Sequence, residues 1–373
     1  MPISARRKSS YRQYVIIVAA SAVGGGAYGL IISLFEGADP RWAGAAQGVF
    51  TGGSVSAWCA SFDVIFGTSA FVQRLRRLPF TSYIFVKAGF YLVGILGGIV
   101  LGSHLFSPLY GSDGWRITDP QFQITFILAV VASFLVAFLM EISRLLGGVV
   151  FANFLSGRYH LPREEERIFL FVDMIASTET AERIGHLQFH RLLNQFFHDL
   201  TEPVLATKGQ IYTYVGDEMI VTWIKPAGLL DARCVQCYLQ MADLLKARAP
   251  VYQAEYGVRP AFRAALHSGL VVAGEMGDDK REIVFLGDTV NTGARLEQAC
   301  RELNKEIIVS GEILSQLTLP DGVEAIGLGP IQLRGKDQAV EVFSLRRHHD
   351  DGVSVAIARR DATDLGAASL TDG

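Results

Sequence analysis

Hydrophobic residues are distributed unevenly along the chain, and their pattern divides it into an apolar first part and a globular second part. Within residues 1–155, four apolar stretches are each about as long as the 20 residues that a helix needs to cross a bilayer. They are residues 14–35, 46–68, 82–105 and 122–140. Residues 163–345 instead alternate short β-type runs with amphipathic helical patterns. We therefore expect an α-helical membrane domain of four transmembrane helices, followed by a separate soluble domain.

The loops between the apolar stretches predict how they are oriented in a cell (inner) membrane. The loop between the second and third stretches carries "QRLRRL", and the first stretch follows "ARRKSSYRQ" without a convincing cleavage site. Because positive loops stay in the cytoplasm, we expect a retained multi-pass anchor with a cytoplasmic N-terminus. Four crossings then return the chain to the cytoplasm at Glu141. Asp63 and Lys87 fall within the apolar stretches, and we expect them to pair because charges in a bilayer are costly.

These patterns predict four segments: the membrane domain at 1–140, a connecting helix at 141–165, the soluble domain at 166–346 and a disordered tail at 347–373. The stretch 141–163 continues the last apolar segment as an amphipathic helix that stops near Pro162. The Glu-Glu-Glu-Arg that follows is interpreted as a charged junction. The tail is polar and rich in Ala and Asp, which is typical of disorder.

The soluble part predicts an α+β domain with a mixed, mainly antiparallel sheet and flanking helices. A strand at 167–174 is followed by a helix near 179–207 that breaks near His186, with Ser177 or Thr178 as its N-cap. The hairpin "YTYVGDEMIVTW" at 212–223 comes next. Further helices are expected at 229–246 and 291–303, and further strands at 260–276, 282–290, 307–310, 324–334 and 340–345.

Composition excludes several kinds of site. The chain is half hydrophobic and 19% charged, and its net charge of −3 does not favour nucleic-acid binding. Cys234-x-x-Cys237 lies in a helical pattern without a second pair, so reduced thiols are expected rather than zinc. The run "GGGAYG" at 24–29 formally resembles a nucleotide-binding loop. It lies inside an apolar stretch, however, and small residues for close helix packing explain it better.

Two carboxylates end or interrupt apolar strands, Asp173 after the first strand and Asp217 at the tip of the hairpin. If the two strands are neighbours, both side chains emerge at one edge of the sheet. Carboxylates of this kind suit Mg²⁺ or Mn²⁺, and the start of the helix after Asp173 favours phosphate. Each aspartate could equally serve a turn or a helix cap, and the residues alone leave both interpretations open.

The stretch "GDTVNTGARLE" at 287–297 contributes a third group of polar side chains. Asn291 and Arg295 are four residues apart on a predicted helix, so they project from the same face. An amide and a guanidinium together suit a ribose hydroxyl and a charged phosphate. A solvated helix face is the alternative.

Five blocks together resemble the catalytic domains of class III nucleotidyl cyclases, in the same order: "FLFVDMIAST", "YVGDEMIV", "RAALHSGLVVAGEMG", "GDTVNTGARLE" and "LRGKDQAVEVFSL". The resemblance covers roughly 165–345. It implies a head-to-tail homodimer that converts a nucleoside triphosphate to a cyclic nucleotide and pyrophosphate with two Mg²⁺ or Mn²⁺ ions per site. It also implies these roles: metal ligands Asp173, Asp217 and the backbone of Met174; substrate-binding residues Ser177, Thr178, Thr213 and Lys336; and Asn291 and Arg295 as the transition-state pair from the other protomer.

The resemblance breaks down at the positions that read the base. Adenylate cyclases of this class usually carry a lysine three residues before the hairpin glycine and Asp or Thr at a second position. Thr213 and Val284 stand there, and they match neither that pair nor the Glu/Cys pair of guanylate cyclases. We expect ATP as substrate because adenylate cyclases prevail in the family. The alternatives are a guanylate cyclase, a diguanylate cyclase, and a membrane receptor with a catalytically degenerate domain.

Overall fold

The computed structural model describes residues 5–36, 41–64, 80–110, 118–146, 153, 156–279, 281–334 and 338–347. The chain divides into two compact units, Met1–Ala152 and Asn153–Gly373. The boundary falls within the connecting segment expected between the membrane domain and the soluble domain. Each unit has its own hydrophobic core.

The described residues of the first unit form the helices α1 (Ala5–Glu36), α2 (Arg41–Val64), α3 (Phe80–Tyr110) and α4 (Pro120–Leu146). Among the described residues, three segments are long and apolar enough to cross a membrane: Tyr14–Phe35, Phe85–Leu109 and Pro120–Leu139. The expectation of four such helices is therefore wrong for the second stretch, 46–68. It forms most of α2, but Gly, Ser, Thr and Gln residues interrupt its apolar character.

The small residues of α2 face α1, where the two backbones touch. A Cβ atom added at Gly25 would lie 2.2 Å from the carbonyl oxygen of Gly48, and one at Gly29 would lie 2.0 Å from that of Gly44. Only glycine permits this approach, so "GGGAYG" is confirmed as a helix-packing segment. The side chain of Asp63 lies outside the described part of the chain, and its pairing with Lys87 stays a prediction.

The second unit is built on one sheet. Its described strands are β1 (Arg163–Met174), β2 (Gln210–Val215), β3 (Glu218–Ile224), β4 (Phe262–Met276), β5 (Glu282–Leu286), β6 (Ile307–Ser310), β7 (Val323–Ile331) and β8 (Val340–Arg347). Its helices are α5 (Ser177–Ile184), α6 (His186–Ala206), α7 (Lys225–Leu229), α8 (Arg233–Tyr256), α9 (Asp288–Glu302) and α10 (Gly311–Leu314). The strand order is β2-β3-β1-β4-β6-β8-β7, and β5 pairs with β4.

Helices cover both faces of this sheet, and β1 lies at its centre. Alternate side chains of β1 point to opposite faces. Ile168 and Leu170 belong to one core cluster with buried residues of both α6 and α8, whereas Phe169 and Phe171 belong to a second cluster with residues of α9. Pairing is antiparallel throughout the described strands except between β4 and β6. The expected α+β architecture with a mixed sheet is confirmed.

Two local expectations are wrong. The residues interpreted as a charged junction form the first part of β1, because Arg163–Glu166 pair with β4. The connecting helix does not run to Pro162, because residues 156–161 form turns and bends, with Gly157 at a left-handed φ of +63°. Most of 147–155 and the tail beyond residue 347 lie outside the described residues.

Candidate active site

The structure places Asp173 and Asp217 side by side at one edge of the sheet. Asp173 is the last but one residue of β1, where it pairs in register with Glu218 of β3. Gly216 and Asp217 form the two-residue turn between β2 and β3, and Gly216 takes the left-handed φ of +63° that a turn of this type needs. Because β1 and β3 are neighbours, the turn carries Asp217 next to the end of β1. This shared edge is the arrangement expected from the sequence.

Four carboxylates, Asp173, Asp217, Glu218 and Glu297, meet at this edge and repel one another. Burial, followed by repulsion from Asp217, raises the pKa of Asp173 to about 6. Burial, followed by repulsion from Glu297, raises the pKa of Glu218 to about 7. Burial, followed by repulsion from Asp173, raises the pKa of Glu297 to about 7. The cluster therefore has an excess of negative charge that a cation would offset.

Two arginines border the cluster and offset part of this charge. The guanidinium of Arg301, at the end of α9, lies 3.6 Å from Oδ2 of Asp173, and Arg263 of β4 pairs in register with the same aspartate. Even so, Oδ2 of Asp173 and Oε1 of Glu297 are buried and have no hydrogen-bond partner. Buried carboxylate oxygens are normally hydrogen-bonded, so these are the two atoms to which a cation would supply the missing interaction.

This donor set fits a hard divalent cation. Among the described residues, no group of three or more His, Cys, Asp or Glu side chains is arranged to bind a metal ion without further ligands. Mg²⁺ commonly binds in this way, through one or two carboxylates with waters and substrate phosphates completing the shell. Asp173, Asp217 and the backbone carbonyl of Met174 are the groups at the sheet edge that would hold such an ion.

The turn after β1 leads directly into α5, but Ser177 and Thr178 are not N-caps. Ala176 is the N-cap residue, with a left-handed φ of 55°, and it makes no side-chain cap hydrogen bond. This conformation brings Ser177 and Thr178 into the first turn of α5 as helical residues. The first N–H groups of a helix have no acceptor within it, so the backbone of these residues can still bind phosphate.

Asn291 and Arg295 do not join the carboxylates of their own chain. Both lie on α9, four residues apart, as the sequence predicted. Arg295 lies about 200° around the helix from Glu297, which faces the cluster. Among the residues that the structure describes, Arg295 has no ion-pair partner.

The positions expected to read the base lie on two strands that approach each other. Thr213 is half-buried on β2, and Val284 is half-buried on β5. The residues next to them are in contact, since the backbone N–H of Phe285 donates to the Tyr212 hydroxyl at 3.3 Å. Neither Thr213 nor Val284 carries a charge for reading a purine edge. Lys336 lies outside the described residues, and its role stays a prediction.

The sequence did not identify Glu218, Glu297, Arg263 and Arg301 as neighbours of the two aspartates. Glu297 stands in the quoted stretch "GDTVNTGARLE", two positions after Arg295. Only the docking of α9 on β1 shows that it faces the cluster. Glu297 and Arg301 are four residues apart on one helix, and this spacing was the sequence feature that could have indicated that they share a face.

Comparisons with known proteins show which proteins this chain is similar to. The family model described as "Adenylate and Guanylate cyclase catalytic domain" matches residues 161–346. The chain is similar to "Adenylate cyclase 2" of Rhizobium meliloti (strain 1021), with 38% identity over 266 residues, 70% of each protein. It is also similar to "Adenylate cyclase 1" of the same organism, with 27% identity over 188 residues, 48% of this chain and 27% of that protein.

A solved structure gives the same fold. A bacterial light-regulated adenylyl cyclase superimposes with a TM-score of 0.50 and 21% sequence identity, and the match covers 61% of this chain and 66% of that one. At this identity the likeness concerns the fold only. The similarity to "Adenylate cyclase 2" is longer than the sheet domain, so it also includes part of the chain outside that domain.

Proposed function

The chain belongs to the class III nucleotidyl cyclases, and on that premise we propose that it is a membrane-anchored adenylate cyclase. It converts ATP to 3′,5′-cyclic AMP and pyrophosphate in a homodimer, as an intracellular signal. The observation that carries this proposal is the meeting of Asp173 and Asp217 at the sheet edge, with a buried carboxylate oxygen that lacks a partner. That arrangement supports cation-dependent phosphate chemistry over a domain that has lost its catalytic site.

The two aspartates and the carbonyl of Met174 would hold Mg²⁺ or Mn²⁺, two ions per site. When bound, the ions supply charge stabilisation at the attacking and leaving oxygens of an in-line displacement. The first turn of α5, at Ser177 and Thr178, binds triphosphate oxygens through its backbone N–H groups. These residues orient the triphosphate so that its α-phosphorus faces the ribose.

The reaction itself needs no protein nucleophile. The ribose 3′-oxygen forms a bond to the α-phosphorus, the bond from that phosphorus to the β-phosphate oxygen breaks, and pyrophosphate leaves. The 3′-hydroxyl proton passes to solvent or to a phosphate oxygen. Asn291 orients the ribose, and Arg295 stabilises the charge that develops on the α-phosphate. Lys336 contacts the terminal phosphates.

Asn291 and Arg295 act in the site of the other protomer. Within one chain α9 directs Glu297 to the carboxylates and Arg295 to the opposite side of the helix, which supports a shared site. Since one chain carries both sets of residues, a homodimer has two equivalent composite sites.

ATP is the proposed substrate because the 38% identical relative bears the name "Adenylate cyclase 2". Thr213 and Val284 lie where the base is read, and a threonine hydroxyl can hydrogen-bond a purine edge.

The three long apolar helices support anchoring in the inner membrane, with the catalytic domain in the cytoplasm, where nucleoside triphosphates are found. Three crossings would leave the N-terminus on the opposite face of the membrane. If α2 crosses as well, both ends of the anchor lie in the cytoplasm. Reporter fusions at the two ends of the chain distinguish these arrangements, and a periplasmic catalytic domain would contradict the proposal.

Purified full-length protein in detergent, incubated with Mn²⁺ and either ATP or GTP, tests the activity. We expect cyclic AMP and pyrophosphate from ATP, measured by chromatography, and loss of product with Asp173→Asn or Asp217→Asn. Cyclic GMP as the main product would make the protein a guanylate cyclase. No cyclic nucleotide from either substrate would contradict the catalytic proposal.

A further inference from the structure

Helix α9 presents one face to the carboxylate cluster. Gly293, Glu297 and Arg301, which are spaced four residues apart, form that face. Gly293 touches β1 directly, since a Cβ atom there would lie 2.1 Å from Cε2 of Phe171. Asp173 lies two residues after Phe171 on the same face of β1, and its Oδ2 atom lies 3.6 Å from Arg301. Glu297 lies between these two contacts, one helical turn from each. The docking of α9 therefore carries Glu297 and Arg301 to the cation site.

Glu297 is buried without the partner that a buried carboxylate normally has. Its relative exposure is 9%, and its Oε1 atom makes no hydrogen bond. The charges that act on it include Asp173, Glu218 and Asp217, which repel it, and Arg301 and Arg263, which attract it. A buried acidic group is strongly destabilising without compensation. Its location is explained if a cation at the two aspartates provides that compensation.

Arg301 carries the opposite charge to Glu297. Its side chain is 70% exposed, and it approaches Asp173 at 3.6 Å as a loose ion pair. Exposed pairs of this kind contribute little to stability and are easily broken. Arg301 therefore offers a monovalent positive charge to the same oxygen that a divalent cation would use.

We propose that Glu297 and Arg301 set the affinity of the Asp173–Asp217 site for its divalent cation, in opposite directions. Glu297 strengthens cation binding by adding a negative charge from the α9 side, and Arg301 weakens it by competing for Asp173. Both act through the two aspartates as positioning residues. The inference rests on the proposed function to the extent that the site binds a cation, and it does not depend on which nucleotide is cyclised.

Mn²⁺ binding to full-length protein in detergent, without nucleotide, tests this proposal. The paramagnetic resonance signal of unbound Mn²⁺ gives the dissociation constant. We expect Glu297→Gln to weaken binding about tenfold, since residues that support metal ligands typically contribute 10- to 100-fold. We expect Arg301→Gln to tighten binding about threefold, in keeping with an exposed ion pair.

Matched controls separate these effects from changes in net charge. Glu302→Gln and Lys305→Gln each remove one charge, of the same sign as Glu297 and Arg301 respectively, near the end of α9. Neither residue is among the charges that shift the pKa of Asp173, Glu218 or Glu297, so both variants should leave the dissociation constant within about twofold of wild type. Glu297→Gln should also raise the unfolding temperature of the metal-free protein, because it removes a repelled buried charge. A residue that only supported the fold would lower it.

The outcomes are distinct from a failure of the proposed function. If Asp173→Asn abolishes Mn²⁺ binding while Glu297→Gln and Arg301→Gln leave it unchanged, the cation site stands and this inference is wrong. If both variants shift binding in the same direction, the inference is also wrong. If Asp173→Asn leaves Mn²⁺ binding intact, the proposed cation site itself fails.

Discussion

At the scale of single residues, the site combines carboxylates that destabilise one another in the absence of a cation. Asp173 and Glu297 are both buried, and each has an oxygen without a hydrogen-bond partner. Sites that bind charged ligands commonly keep such groups, since the ligand supplies the missing interaction. The stability of this edge of the sheet should therefore depend on both pH and divalent cations.

The raised pKa values predict the direction of the pH dependence. The folded protein holds protons on Asp173, Glu218 and Glu297 up to about pH 6–7, whereas their ordinary pKa values are 3.8 and 4.5. Between the ordinary and the raised pKa values, the folded state binds more protons than the unfolded state. The free energy of unfolding therefore falls as the pH rises through this range. We expect EDTA-treated protein to lose on the order of 2 kcal/mol between pH 5 and pH 8.

Thermal unfolding in detergent at pH 5 and pH 8, with EDTA or with Mn²⁺, measures this effect. Mn²⁺ should raise the unfolding temperature more at pH 8, where the carboxylates are ionised. Asp173→Asn should flatten the pH dependence of the EDTA-treated protein. A stability that rises from pH 5 to pH 8 in EDTA would contradict the prediction.

At the scale of elements, the first half of β1 is held by a buried charged network that the hydrophobic pattern does not reveal. Arg167 is 1% exposed. Its Nε donates to Glu165 at 2.8 Å, its Nη2 donates to the Tyr159 hydroxyl at 2.9 Å, and its guanidinium lies 4.3 Å from the ring centre of Phe285 on β5. This network joins the turn before β1 to the strand that carries Val284.

Neutralising one partner of this network should be strongly destabilising. We expect Glu165→Gln to cost about 3 kcal/mol, because it leaves the charge of Arg167 buried without its counter-ion. For a domain of this size, that corresponds to a decrease of roughly 6–12 °C in the unfolding temperature. Thermal unfolding of the full-length protein in detergent measures it.

The neighbouring glutamate provides the control. Glu166 pairs with Lys225 at 2.9 Å, but its side chain is 59% exposed, so Glu166→Gln should cost less than about 1 kcal/mol. Replacing both charges, with Glu165→Leu and Arg167→Met, should recover much of the loss. Equal effects of Glu165→Gln and Glu166→Gln would show that the buried pair has no special importance.

At the scale of the whole molecule, the two faces of α9 explain why the proposed active site needs two chains. One face carries Glu297 and Arg301 to the carboxylates of its own chain, and the other carries Asn291 and Arg295 away from them. In the proposed homodimer, each chain would supply one half of each of two sites, and two chains would complete both of them.

Mixing inactive subunits tests this arrangement. When Asp173→Ala and Arg295→Ala chains are co-expressed in equal amounts, half of the dimers are mixed, and each mixed dimer has one intact site. We expect about a quarter of wild-type activity, measured as cyclic nucleotide formed, although each variant alone is inactive.

The matched control mixes Asp173→Ala with Asp217→Ala. Both changes affect the carboxylate half-site, so every site in every dimer is defective and activity should not return. Recovery in this control, or none in the first mixture, would contradict the shared-site model.

The sequence by itself determined the division of the chain, the α+β sheet domain and the positions of Asp173 and Asp217 at one edge of the sheet. These features are local: apolar length, strand alternation and a Gly-Asp turn leave a direct record in neighbouring residues. The prediction that α2 spans the membrane was wrong, because it was based on the length of the stretch and its small residues. The hydropathy of α2 is too low for a span, and its small residues instead pack against α1.

Only the tertiary structure decided which side chains surround the aspartates. Glu297 and Arg301 are more than 120 residues from Asp173, and they reach it because Gly293 lets α9 lie directly on Phe171. Likewise, the sequence placed Arg167 where a charged junction meets an apolar strand, and its burial depends on contacts with Glu165, Tyr159 and Phe285 from separate parts of the chain. Local pattern cannot specify such contacts, because they depend on how helices and strands dock.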